Sequence, residues 1–206
     1  MQTVQELFLH ELSDMVDAEH RILETLSEQI EESNNQTLRS AFQAHHTQTE
    51  GHVERLEQCF ELLDEEAEET ECAGIKGLSE EHQIMREQQP APDILDVFNI
   101  AAAIKVERYE ISAYESLIRL AEQLKQTKVV RLLNQILKEE EQTLKKMIIL
   151  TAKVKPISLD THESEPEDSS VEASAEEFGG DQQTPREGRP LRRSAKKSSL
   201  RRGRAA

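Results

Sequence analysis

The sequence predicts an all-α protein, four long amphipathic helices packed as one bundle, on three observations. Apolar residues recur at alternating steps of four and three through most of residues 1–155, the spacing of a helix face buried against other helices. Polar, Gly- or Pro-containing breaks divide that pattern into four stretches, with two short connections and one long middle one. There is no Trp, aromatics make up 3% of the chain and 32% of residues are charged, so the core must be built from Leu, Ile, Val and Ala, as in helix bundles.

The first helix is expected from about Val4 to Glu32, with a core seam of Phe8, Leu12, Met15, Glu19, Ile22 and Leu26. Ser33-Asn34-Asn35-Gln36 supplies turn and capping residues. The second helix is expected from about Thr37 to Glu66, with the seam Leu38, Phe42, His45, Thr49, His52, Leu56, Cys59 and Leu63. The acidic stretch Asp64 to Glu71 ends it. Residues 72–91 contain Gly74, Gly77, Pro90 and a short amphipathic piece from Leu78 to Arg86, which reads as a long crossover carrying a short extra helix. The third long helix starts after Pro92, with Asp93 favourably placed near its positive end, and runs to about Lys125 on the seam Ile100, Ile104, Glu107, Ile111, Tyr114, Ile118 and Ala121. The fourth is expected from about Thr127 to Lys155 on Val130, Leu133, Leu137, Glu140, Leu144 and Met147, and Pro156 stops it. Two short turns and one crossover give an up-down-down-up path, the ferritin-like topology.

Residues 156–206 are expected to form a separate disordered tail. Residues 160–181 are rich in Glu, Asp and Ser, whereas 186–204 contain nine Arg or Lys; neither block can bury enough apolar surface to offset ordering entropy. The net charge of −16 is concentrated in residues 1–155, with 31 acids against 16 bases, so the bundle should attract cations and repel nucleic acid. The basic block is instead a candidate contact for nucleic acid or another anionic surface. No apolar run approaches the roughly 18 residues a membrane span needs, and Met1–Glu6 lacks the pattern of a secretory leader. Cys59 and Cys72 read as reduced thiols, and the expected location is the cytoplasm.

Each seam is broken near its middle by a polar group: Glu19, then His45, Thr49 and His52, then Glu107, then Glu140. Counting from the turns places Glu19 level with Thr49, and Glu140 closer in level to Glu110 than to Glu107; Glu107 and Glu110, at i and i+3, can share a face. Carboxylates in an apolar core are costly unless protonated, paired with arginine, or bound to metal. Metal is the economical answer, because facing Glu and His side chains build di-iron and di-manganese sites in bundles. Iron is the first expectation, with manganese or zinc as alternatives. The competing readings are core histidines bonded to carboxylates, pairing of Arg55 or Arg108 with the glutamates, and Glu50 as a surface residue flanking the seam.

The segments FLHELSDMVDAEHRI (8–22), HHTQTEGHVERL (45–56) and AAAIKVERYEISAY (101–114) resemble the YciF/YciE ferritin-like family of bacterial stress proteins, over roughly residues 3–153. The resemblance implies a metal-binding bundle that forms a homodimer, with Glu19, His45, Glu50, Glu107, Glu110 and Glu140 near the site. Two departures stand out. Di-iron bundles usually carry Glu-x-x-His on two helices, yet Val53 follows Glu50 by three and Thr143 follows Glu140 by three. Arg108 also stands where family members often have histidine.

Two functions are compatible with this reading. One is a stress-associated protein with a di-iron or di-manganese carboxylate site handling O2 or peroxide. The other is a metal-free helical dimer scaffold whose basic tail binds nucleic acid or another anionic partner.

Overall fold

The computed structural model describes residues 1–156, and the expectations for the acidic and basic blocks of the tail lie outside them. Five helices account for the described residues, with no strand among them: α1 (Val4–Glu32), α2 (Gln36–Leu63), α3 (Ala73–Glu87), α4 (Pro92–Gln123) and α5 (Thr127–Lys153). No helix among them is long and apolar enough to cross a membrane.

Local chemistry sets the ends. Thr3 and Glu6 form a reciprocal capping box at the start of α1, satisfying amides that the helix cannot. The Asn35 side chain accepts from the amides of Thr37 and Leu38 to start α2, and Asp64, in the left-handed region at φ 57°, ends it. Pro92 occupies the first turn of α4, where its missing N–H costs nothing.

The hairpins α1–α2 and α4–α5 pack together through α1 against α4 and α2 against α5, while α3 lies on α1 and α4. This is the ferritin-like four-helix bundle with one crossover. At about 1.5 Å per residue, the 15 residues of α3 carry the chain some 22 Å back along the bundle. The buried Asp96 carboxylate accepts from the amides of Asn34 and Asn35, each at 2.9 Å, tying the start of α4 to the α1–α2 turn.

The α1 seam is buried as expected, and so is the α2 seam except Leu63, which is half-buried. On α4, Ile104 and Ile111 are half-buried, and Ala103, Glu110 and Leu117 turn inward instead. The reason is that three helices contact α4, so its buried face is wider than a single seam. Leu117, which lies off the expected seam, is fully buried. On α5 the buried row is Val129, Leu133, Ile136, Glu140, Thr143, Met147 and Leu150, one position from the expected row at Val130, Leu137 and Leu144. Both cysteines are free and buried.

The extra helix α3 is longer than the expected Leu78–Arg86, because Gly74 is tolerated in its first turns. A Cβ on Gly74 would run into the Tyr109 ring; the missing side chain lets that ring reach the buried Cys72 thiol, 3.2 Å from its hydroxyl. The other end of α3 is held by His82, whose Nε2 lies 2.8 Å from Glu32 and 3.1 Å from Asn99 Oδ1, and by Arg86 on Glu28 and Glu32.

Candidate metal centre

Four helices each carry polar groups into the middle of the core: Glu19 from α1, His45, Thr49 and His52 from α2, Glu107 and Glu110 from α4, and Glu140 from α5. All are buried. The heptad rhythm that aims leucines inward aims these residues inward too.

Their ligating atoms fall into two groups, each within 4.8 Å. The first is His45, Glu107, Glu110 and Glu140; the second is Glu19, His52 and Glu140. Glu140 belongs to both. His45 Nε2 lies 3.2 Å from Glu107 Oε1, and His52 Nδ1 lies 2.7 Å from Glu140 Oε1 and 3.5 Å from Glu19 Oε1. Seven residues separate the histidines, about 10 Å along the helix axis, so they serve different groups. Tyr114 donates its hydroxyl to Glu19.

Both oxygens of Glu110 and Glu19 Oε2 lack a hydrogen-bond partner, and Glu107, Glu140 and His45 meet other polar groups only within this cluster, without good hydrogen-bond angles. No lysine or arginine forms an ion pair with these four glutamates among the described residues. Burial, followed by the charge of Glu140, pushes Glu107 and Glu110 well above the ordinary carboxylate range. Burial likewise raises Glu19, against the opposing effect of His52. Burial, reinforced by His52, holds His45 neutral down to about 3. For His52, burial opposes protonation but is outweighed by Glu140 and Glu19, which bring it to about 10. Burial thus favours the neutral forms of Glu107 and Glu110, while Glu140 and Glu19 favour the charged form of His52.

His52 is oriented from outside. Its Nε2 lies 3.0 Å from Glu139 Oε2, and Glu139 receives two bonds from Arg55, at 3.1 and 2.7 Å. Arg55 Nε in turn donates to the Gly51 carbonyl at 2.9 Å. A carboxylate that holds one imidazole nitrogen leaves the other aimed as a ligand.

Five of the six residues singled out in the sequence, Glu19, His45, Glu107, Glu110 and Glu140, meet in these groups. Glu50 does not. Its side chain is 55% exposed and sits 3.7 Å from His46 Nδ1, because it points away from the seam shared by His45, Thr49 and His52. His52, rather than Thr49, meets Glu19. The signal for it was its place exactly one heptad after His45, which a reading of His52 as an ordinary core histidine passes over. The arginines do not fill the core: Arg55 pairs with Glu139, and Arg108 is exposed.

The donor set is compatible with a metal site. Four carboxylates and two imidazoles are the complement found in di-metal carboxylate bundles, although here both histidines come from α2 and no Glu-x-x-His is used. The unpartnered oxygens are an expense that metal ligation removes.

A ferritin-like bundle with a carboxylate- and histidine-lined interior is the class that fold and site define. The chain belongs to the family described as a domain of unknown function (DUF892), which matches residues 3–156. It is 37% identical to protein YciF of Escherichia coli over 144 residues, covering 69% of this chain and 87% of that protein. The crystal structure of the E. coli stress protein YciF superposes with a TM-score of 0.72 at 36% identity, over 74% of this chain and 97% of that one. YcfI from Rhodopseudomonas palustris superposes with a TM-score of 0.69 at 34% identity, over 71% and 94% of the two chains.

Proposed function

We propose that the bundle core holds two divalent ions, iron first and manganese or zinc as alternatives, and that with iron or manganese bound the protein acts on dioxygen or peroxide under stress. The observation that carries this reading is the gathering of buried carboxylates that no lysine or arginine neutralises, Glu107, Glu110 and Glu140 with His45 in one group and, through Glu140, Glu19 and His52 in another. His45, Glu107 and Glu110 would hold one ion, Glu19 and His52 the other, with Glu140 available to both. Redox-active ions there would supply electrons to a small oxidant. The chain's own contribution is to supply negative charge, to keep bulk water out through the surrounding leucines and isoleucines, and to place the Tyr114 hydroxyl on Glu19. The naming of the E. coli relative as a stress protein supports the setting.

The test is metal analysis after anaerobic loading with Fe(II), beside a Glu19→Ala, Glu107→Ala double variant. Retention of about two irons per chain, lost in the double variant, is the expected result. No retained iron, with a double variant more stable than the parent, would overturn the reading. It would favour the metal-free homodimer scaffold, with residues 186–204 contacting nucleic acid or another anionic partner.

A further inference from the structure

A small cavity of about 20 Å³ lies where α3 covers α1 and α4. Its walls are mostly apolar, from Ile22, Leu26, Leu78, Ala102, Ala103 and Val106, with the polar side chains of Thr25, Gln29, Ser79 and His82 completing them. On the scale by which one water needs roughly 10–15 Å³, it has room for one small guest. His45 forms part of its lining. That imidazole is 4% exposed, its ring nitrogens meet polar groups only within the cluster, without good hydrogen-bond angles, and it belongs to the group with Glu107, Glu110 and Glu140.

A second cleft, of about 220 Å³, runs between α1 and α3 and is lined by charged and polar groups such as Arg21, Glu24, Lys76 and Glu80. Thr25 and Ser79 line both spaces. Their hydroxyls are 3.0 Å apart, closing a hydrogen bond across the boundary. From the outside inward, a guest would meet a polar cleft, a hydroxyl pair, a mostly apolar chamber and then an imidazole of the centre.

We propose that this path is the access route for dioxygen, and that its mostly apolar chamber, which offers no carboxylate, excludes metal ions. Transfer of a bare ion into a mostly apolar space is strongly unfavourable, a penalty that dioxygen does not carry. Metal ions must then reach the core by another path, and the chamber admits only the co-reactant. The purpose assigned to the route rests on the di-metal reading, whereas the route itself does not.

Xenon is a suitable probe, since dry apolar cavities take it up. In the full-length, metal-free protein under xenon pressure, methyl NMR signals of Leu26, Leu78 and Val106 are expected to shift while those of Leu62 and Ile149 stay in place. Ser79→Phe, at the half-buried mouth, and Ala103→Val, on the inner wall, should each abolish the shifts. In iron-loaded protein the two variants should slow iron oxidation by dioxygen tenfold or more while retaining the parent's iron content. Xenon shifts confined to other methyls, or parental oxidation rates in both plugged variants, would overturn the route. A protein that retains no iron fails the di-metal reading alone; the xenon shifts then decide the route, their presence supporting it and their absence overturning it.

Discussion

Replacing Glu110 by glutamine should make the metal-free protein more stable, and the gain should depend on pH. Glu110 is fully buried with neither oxygen partnered, and burial together with Glu140 raises it well above its ordinary value of 4.5. A group raised in the fold contributes its full stability below its unfolded value and loses it as pH rises toward the folded value. At pH 7 the unfolded chain releases this proton freely, while the fold must keep it or carry a buried charge. Holding it across about 2.5 pH units costs up to about 3 kcal/mol. Glutamine keeps the shape and the neutrality without that cost. Melting in the presence of chelator should therefore show Glu110→Gln raising Tm by up to about 10 °C at pH 7, and stabilising by under about 1 kcal/mol at pH 5. Saturating Fe(II) under anaerobic conditions should reverse the order, because the parent gains more from the metal than a variant lacking one ligand. An equal gain at both pH values would refute titration as its source. A loss of stability at pH 7 would show that the carboxyl is satisfied in the fold.

Other perturbations separate orientation, scaffold and tail. Glu139→Gln, at the outer face of His52, should weaken metal binding tenfold or more by calorimetry, while moving stability by less than about 1 kcal/mol because Glu139 is one-third exposed. Asp96→Ala removes the acceptor of two amides and should cost about 2–3 kcal/mol in urea unfolding, loosening the α1–α2 turn without changing metal content. Gly74→Ala drives a Cβ into the Tyr109 ring and should cost about 1–3 kcal/mol, with a change in tyrosine fluorescence as the ring leaves Cys72. Deleting residues 157–206 should leave metal content unchanged and abolish any retention on DNA at low salt; retention by the truncated protein would refute assignment of that contact to the basic block.

Much of the fold was legible because it is written in one rhythm. The α1 seam could be read residue by residue because every expected seam position is buried, although Ser13, Ala18 and Gln29 join it from outside the rhythm. On α4 the rhythm underdetermined the answer: α3 and α1 both contact it, and contacts such as His82–Asn99, 17 residues apart, and Tyr114–Glu19, 95 apart, leave no local periodicity. The same limit explains the site. Glu19, Glu107 and Glu140 stand out because a carboxylate interrupts an apolar seam. His52 resembles any core histidine until Glu140 and Glu19 are seen beside it, and the Arg55–Glu139 pair that orients it joins residues 84 apart in the chain. Glu50 misled for the opposite reason. It lies in a segment that resembles the family, yet one residue's rotation from Thr49 puts it on the solvent side.

The crossover has a consequence that lies in connectivity rather than in packing. A bundle joined by three tight turns would cover the same leucines with the same four helices, and the gap between α1 and α4 would face water. Here the chain must travel back along the bundle to reach the start of α4, and the segment that makes the journey becomes a roof. A circular permutant opened between Leu63 and Ala73, with the natural ends joined, would keep every long helix yet untether one end of that roof. Its comparison with the parent would measure how much the chain's route, as opposed to its core, governs what reaches the interior.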